Sequence, residues 1–112
     1  MTIKDIKEIK AKLELQSFIL LFLAGIMCVI LGMGFNDVAE VKGRMPVYSD
    51  TVKVNSDTHY SIDSLNDVAK PFFIDRYTIN RTVYSIGDFI MYLGGILLGI
   101  LVYRLPNVFI KK

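Results

Sequence analysis

One cysteine, one histidine and three prolines among 112 residues leave little for covalent or metal-based architecture to work with. The lone cysteine, Cys28, has no intrachain partner, which excludes an internal disulfide. His59 is the only histidine, so no histidine-based metal cluster is available within one chain. The acidic residues Asp50, Asp57, Asp63, Asp67 and Asp75 lack the spacing of a calcium loop. No G-x-S-x-G elbow, Walker loop or dinucleotide fingerprint is present. No catalytic, metal or cofactor residue is assigned, and enzymatic activity is not expected. The net charge of +2 carries no basic stripe, so nucleic acid is not an expected partner.

Charge itself is missing from two long stretches. Leu15 to Asn36 contains none, and from Phe89 to Ile110 the only charged residue is Arg104. The segment between them holds most of the charged side chains. A soluble domain would instead spread its apolar residues at helical or strand spacing. About 20 helical residues cross a hydrocarbon layer of ~30 Å. Ser17–Phe35 meets that length, and Phe89–Tyr103 approaches it. Pro106 predicts either a kinked last turn or a helix end with Tyr103–Leu105 at the interface. The first run exceeds a signal-peptide core, and Asp37-Val38-Ala39 is a poor cleavage site, so it reads as an uncleaved anchor.

The expected fold is a membrane protein: a two-transmembrane-helix hairpin, an N-terminal amphipathic helix and a small extracytoplasmic α+β segment. The boundaries read as 1–16 for the amphipathic helix, 17–35 and 87–105 for the membrane helices, 36–86 for the outer segment and 106–112 for a basic tail. Lys4, Lys7, Lys10 and Lys12 crowd the N-terminal stretch, and Arg104, Lys111 and Lys112 the C-terminal one. Lys and Arg density therefore predicts that both termini are cytoplasmic, and the cysteine-free outer segment fits a bacterial inner membrane. Tyr103, Arg104, Lys111 and Lys112 are the expected interface anchors. Thr2 and Asp5 form a capping box ahead of Ile3, Ile6, Ile9 and Leu13 on one helical face. With no glycine or proline before the membrane run, this helix either continues as one rod or bends near Gln16-Ser17 onto the membrane surface.

Between the runs, Val47–Asn55 has strand composition and Asn55-Ser56-Asp57 supplies a turn into Thr58–Ile62, which predicts a hairpin. Gly43 and Pro46 mark an earlier loop. Ser64–Asp67 and Ser85–Asp88 are further capping boxes, the first ending by Pro71 and the second opening the last helix. Phe72–Ile79 and Thr82–Ile86 read as strands. Fifty residues make a marginal free-standing fold. Tyr48, Tyr60, Phe72, Phe73, Tyr77 and Tyr84 therefore either form a small core against the membrane or stay exposed for a partner. Asn80-Arg81-Thr82 matches a glycosylation acceptor, a pattern common by chance.

Small residues recur inside the membrane runs. Ala24, Cys28 and Gly32 lie four apart, and Gly95 and Gly99 form a GxxxG pair with Gly87 two turns earlier. Such stripes let helix backbones approach in lipid, against each other or against another protein. A non-enzymatic accessory or regulatory subunit is the leading expectation, partnered by the lipid bilayer and by another membrane protein or copies of itself. The alternatives are a self-assembling pore or lesion former and a phage superinfection-exclusion protein. The two-helix layout resembles some phage holins in topology alone, although such proteins join their helices by a short turn.

Overall fold

The computed structural model describes the backbone of residues 1–109 and side chains through Arg104. Two long helices dominate it. The first, α1 (Ile3–Ala39), opens on the Thr2–Asp5 box: Thr2 Oγ1 accepts from the Asp5 amide and Asp5 Oδ2 from the Thr2 amide. It then runs 37 residues without interruption, so residues 3–16 and the apolar run are one rod. No proline lies anywhere in it and no glycine before Gly25, so nothing near Gln16-Ser17 removes an amide or frees the backbone to bend.

The connecting segment holds four three-residue strands in two separate pairs. Strands β1 (Met45–Val47) and β2 (His59–Ser61) pair in parallel, with Met45 opposite His59. Strands β3 (Tyr77–Ile79) and β4 (Thr82–Tyr84) pair antiparallel, with Tyr77 opposite Tyr84. The turn between β3 and β4 is Asn80-Arg81, both at positive φ as a type I′ hairpin requires. Lys42 and Gly43 make a second turn of positive φ, closed by Val41 and Arg44.

The strand expected over Val47–Asn55 is displaced to Met45–Val47, and its hairpin with Thr58–Ile62 does not form. Ser49 explains the displacement: its Oγ accepts from the amides of Thr51 and Val52, bending the chain into a turn. Val54 and Asn55 still return beside β2, but through irregular bonds. Pro46, expected in a loop, is buried inside β1, where its carbonyl accepts from the Asp75 amide. The Ser64–Asp67 box caps only the 3₁₀ turn Leu65–Asp67. Ala39, Met45, Ile62 and Ile74 form a small core, flanked by Tyr48, Tyr60, Leu65, Val68 and Phe73.

The second long helix, α2 (Ile86–Phe109), folds back along α1. Its backbone stays helical through Pro106, so the helix does not end at Tyr103–Leu105. The molecule measures 67 × 25 × 21 Å. The long axis matches a 37-residue helix of ~55 Å with the connecting segment capping one end.

Candidate functional site

Three arrangements stand out, beginning with the seam between α1 and α2. Built onto Gly32, a Cβ would sit 2.5 Å from the Gly87 carbonyl oxygen; one on Gly87 would sit 2.5 Å from that of Gly32. One turn-pair further on, a Cβ on Gly94 would lie 2.7 Å from the Gly25 oxygen, and one on Gly25 would meet Leu98. The helices thus touch backbone to backbone at two levels, Gly25 against Gly94 and Gly32 against Gly87. In each helix the paired glycines are seven residues apart.

This spacing replaces the four-residue stripe expected from sequence. Ala24 is exposed and Cys28 half-buried beside the seam, while Gly95 and Gly99 have no heavy atom within 4 Å of a built Cβ. A four-residue row drifts about 40° per step around a helix, so it leaves a long contact face that a seven-residue repeat follows. Gly25 and Gly94 are the residues that sequence reasoning passed over. Their signal was the shared seven-residue interval with Gly32 and Gly87.

The second arrangement closes the seam where the apolar runs meet the connecting segment. Asn36 Oδ1 accepts from Ser85 Oγ at 2.6 Å, and Asn36 Nδ2 donates to Asp88 Oδ1 at 2.9 Å. Asp88 Oδ2 accepts from the Ser85 amide, and Ser85 Oγ from the Asp88 amide. The cap of α2 is thereby tied to α1, with Ser85 fully buried. Gly87 is required here as well, because a Cβ would collide with Asn36 Oδ1.

Aromatic rings gather around this clasp. Phe73 packs on Phe35 at 5.1 Å between centroids and on Phe72 at 5.2 Å. Tyr77 and Tyr84 each lie 5.7 Å from Phe89, and Tyr84 also meets Tyr92. Tyr48 and Tyr60 pack against the core, with the Arg44 guanidinium over the Tyr60 ring. Of the six aromatics considered for a partner, Phe72 projects most, at 55% exposed. At the other end Tyr103 is exposed, and the glycine register sets Arg104 near the level of Leu15; Lys111 and Lys112 lie outside the described residues.

The third arrangement is a cavity of about 200 Å³ among Val47, Val52, Val54, His59, Asp75, Arg81, Thr82 and Val83. Asp75 is 6% exposed, and its Oδ2 lies 3.4 Å from His59 Nε2. Burial, and then the nearby Asp88 carboxylate, push Asp75 up to about 7. His59 Nδ1 lies 2.8 Å from Thr58 Oγ1, completing a hydroxyl–imidazole–carboxyl chain. The amides of Thr58 and His59 both donate to Ser56 Oγ, so neither is aimed at a developing oxyanion. No group of three or more His, Cys, Asp or Glu that could hold a metal ion occurs among the described residues. Asn80, the glycosylation candidate, is exposed at the tip of the β3–β4 turn.

Comparison with known protein families, curated proteins and solved structures finds no match to this chain.

Proposed function

We propose that this chain is a non-enzymatic, two-pass subunit of a membrane complex that works by lateral contact with a larger membrane protein. Both helices are long and apolar enough to span a bilayer, with mean hydropathies of 2.7 and 1.9 along their most apolar stretches. Only 11% and 17% of those stretches is buried within the described residues, which leaves large apolar faces for lipid or protein to cover. In this reading the Asn36–Ser85–Asp88 clasp sits at the outer boundary, and Phe72, Tyr77, Tyr84 and Tyr92 form its aromatic belt. The lysine-rich start of α1 lies in the cytoplasm, as does the end of α2, with Tyr103 and Arg104 at the inner boundary.

The observation carrying the reading is the division of labour among glycines. Gly25, Gly32, Gly87 and Gly94 are consumed by the hairpin, whereas Gly95 and Gly99 face outward with open space around them. A glycine inside a helix costs about 1 kcal/mol relative to alanine. At 95 and 99 nothing among the described residues compensates that cost. Close approach by a helix from another protein would, through dispersion contacts over the flat surface the pair creates.

The test is the mass of the native protein in nanodiscs, purified with whatever stays bound. A heteromeric complex that Gly95→Leu dissociates is the expected outcome. A particle containing only copies of this chain, dispersed by Gly95→Leu or Gly99→Leu, would overturn the proposal in favour of a self-assembling lesion former. Conductance in liposomes would then be measured. Against that outcome, no side chain between Ser17 and Gly34, or between Phe89 and Tyr103, is more polar than Cys28 or Tyr92.

A further inference from the structure

From Phe18 onward the better-protected residues of α1 fall on one line. Phe18, Leu21, Gly25, Cys28 and Gly32 are half-buried or buried and repeat at intervals of three and four, and the buried Ala39 follows seven residues on. That line is the face against α2, and its seven-residue period gives the pair a left-handed twist.

The opposite face of α1 carries a second line with the same period. Ile6, Ile9, Leu13, Gln16, Leu20 and Leu23 are all exposed, and the series continues to Ile30. Leu13 is 59% exposed and Leu20 67%, so the apolar surface does not lessen where the charged residues begin. Because α1 is one unbroken rod, residues 3–9 cannot fold down onto lipid while the run beyond Ser17 crosses it. Some protein surface must cover Ile6 and Ile9, or they remain in water.

Two observations, together with the two-pass topology proposed above on which this rests, point to another α1 as that surface. With Ile6 and Leu13 at a positions and Ile9 and Gln16 at d positions, Asp5 falls at g and Lys10 at the following e. In a parallel pair these are the sites from which opposite charges reach across, and two-fold symmetry makes the contact twice. Copies inserted with the same topology present α1 in parallel, as that pattern needs. Finally, a shallow groove runs along Leu13, Gln16, Ser17 and Leu20 and continues past Leu21 and Ala24 toward the α2 side. Those first four positions are the four-residue hole that receives the partner's d residue, here Gln16 from the second copy. Its amide would meet Gln16 and Ser17 at the edge of the apolar run, where polar contacts between helices fix register.

We infer that the outward face of α1, from Ile6 to Ile30, is a parallel homodimer seam between two copies of this chain. It is independent of the Gly95–Gly99 face on α2, and the two can be occupied together.

The test is oxidative crosslinking of the full chain in its membrane, with Cys28→Ala removing the native thiol. Ile6→Cys, Ile9→Cys and Leu13→Cys are expected to give disulfide dimers, and Ala11→Cys, at the outward f position, little. Lys10→Glu in the Ile9→Cys background should lower the dimer constant roughly ten-fold, since it converts two attractive contacts into repulsive ones. Asp5→Asn, which keeps an oxygen for the Thr2 amide while removing the charge, should weaken the dimer as well. Equal yields at Ala11→Cys and Ile9→Cys would overturn the inference, as would failure of Lys10→Glu and Asp5→Asn to weaken the dimer. Adducts to a different protein at Ile9→Cys would overturn it too. Gly95→Leu should leave the crosslink unchanged, which separates this seam from the α2 face.

Discussion

Asp75 is the residue whose environment differs most from its ordinary one. Its carboxyl is buried between β1 and the β3–β4 hairpin, near Asp88 and facing His59, while its amide and carbonyl join Pro46 and Tyr48. Backbone pairing therefore fixes the carboxyl in a place where ionisation is disfavoured. With the folded value near 7 and an unfolded value near 3.8, the folded chain holds a proton that the unfolded chain releases. Stability is then fullest below about pH 4 and falls as pH rises through 7, so far as this group is concerned. Thermal unfolding of the solubilised protein should give a melting temperature that declines from pH 5 to pH 8. Asp75→Asn should flatten that decline and raise the melting temperature at pH 8. A slope unchanged by the substitution would assign the pH dependence to other groups.

At the scale of elements, the hairpin is governed by which glycines meet. Replacing Gly32 by leucine pushes a side chain into the Gly87 backbone and should cost about 3 kcal/mol or more, because backbone cannot yield as a side-chain tip can. Gly95→Leu enters open space and should leave the melting temperature of the isolated chain nearly unchanged. Equal losses from both would mean that the helices pack on a different face. The existence of both helices was legible from the two charge-free runs, and so were the three capping boxes, because each depends on residues close in sequence. The packing face was not legible. In a uniformly apolar run every period is available, and only the opposing helix selects seven over four. Strands β2, β3 and β4 fall inside the stretches whose composition marked them, Thr58–Ile62, Phe72–Ile79 and Thr82–Ile86, though each is shorter. The position of β1 was not legible, because the Ser49 hydroxyl decided where extension stops. The meeting of His59 with Asp75, and of Asn36 with Ser85 and Asp88, depends on chain reversal and left no local trace.

For the whole molecule, the central question is which side each end occupies. With Cys28→Ala as background, Ser56→Cys should react with a membrane-impermeant maleimide added to intact cells, and Thr2→Cys only after permeabilisation. Reaction of both before permeabilisation would contradict the proposed topology. Size also matters at this scale, since the core of the connecting segment rests on few buried side chains. One of them, Ala39, is the last residue of α1 itself. The helix ends inside the core, with no loop between rod and cap to take up slack. A tilt of α1 applied near Ile3 must displace Ala39 the opposite way, and Met45, Ile62 and Ile74 must travel with it or lose their contacts. The rod acts as a lever whose far arm is embedded in its load, so leverage at the lysine-rich end becomes movement at the other.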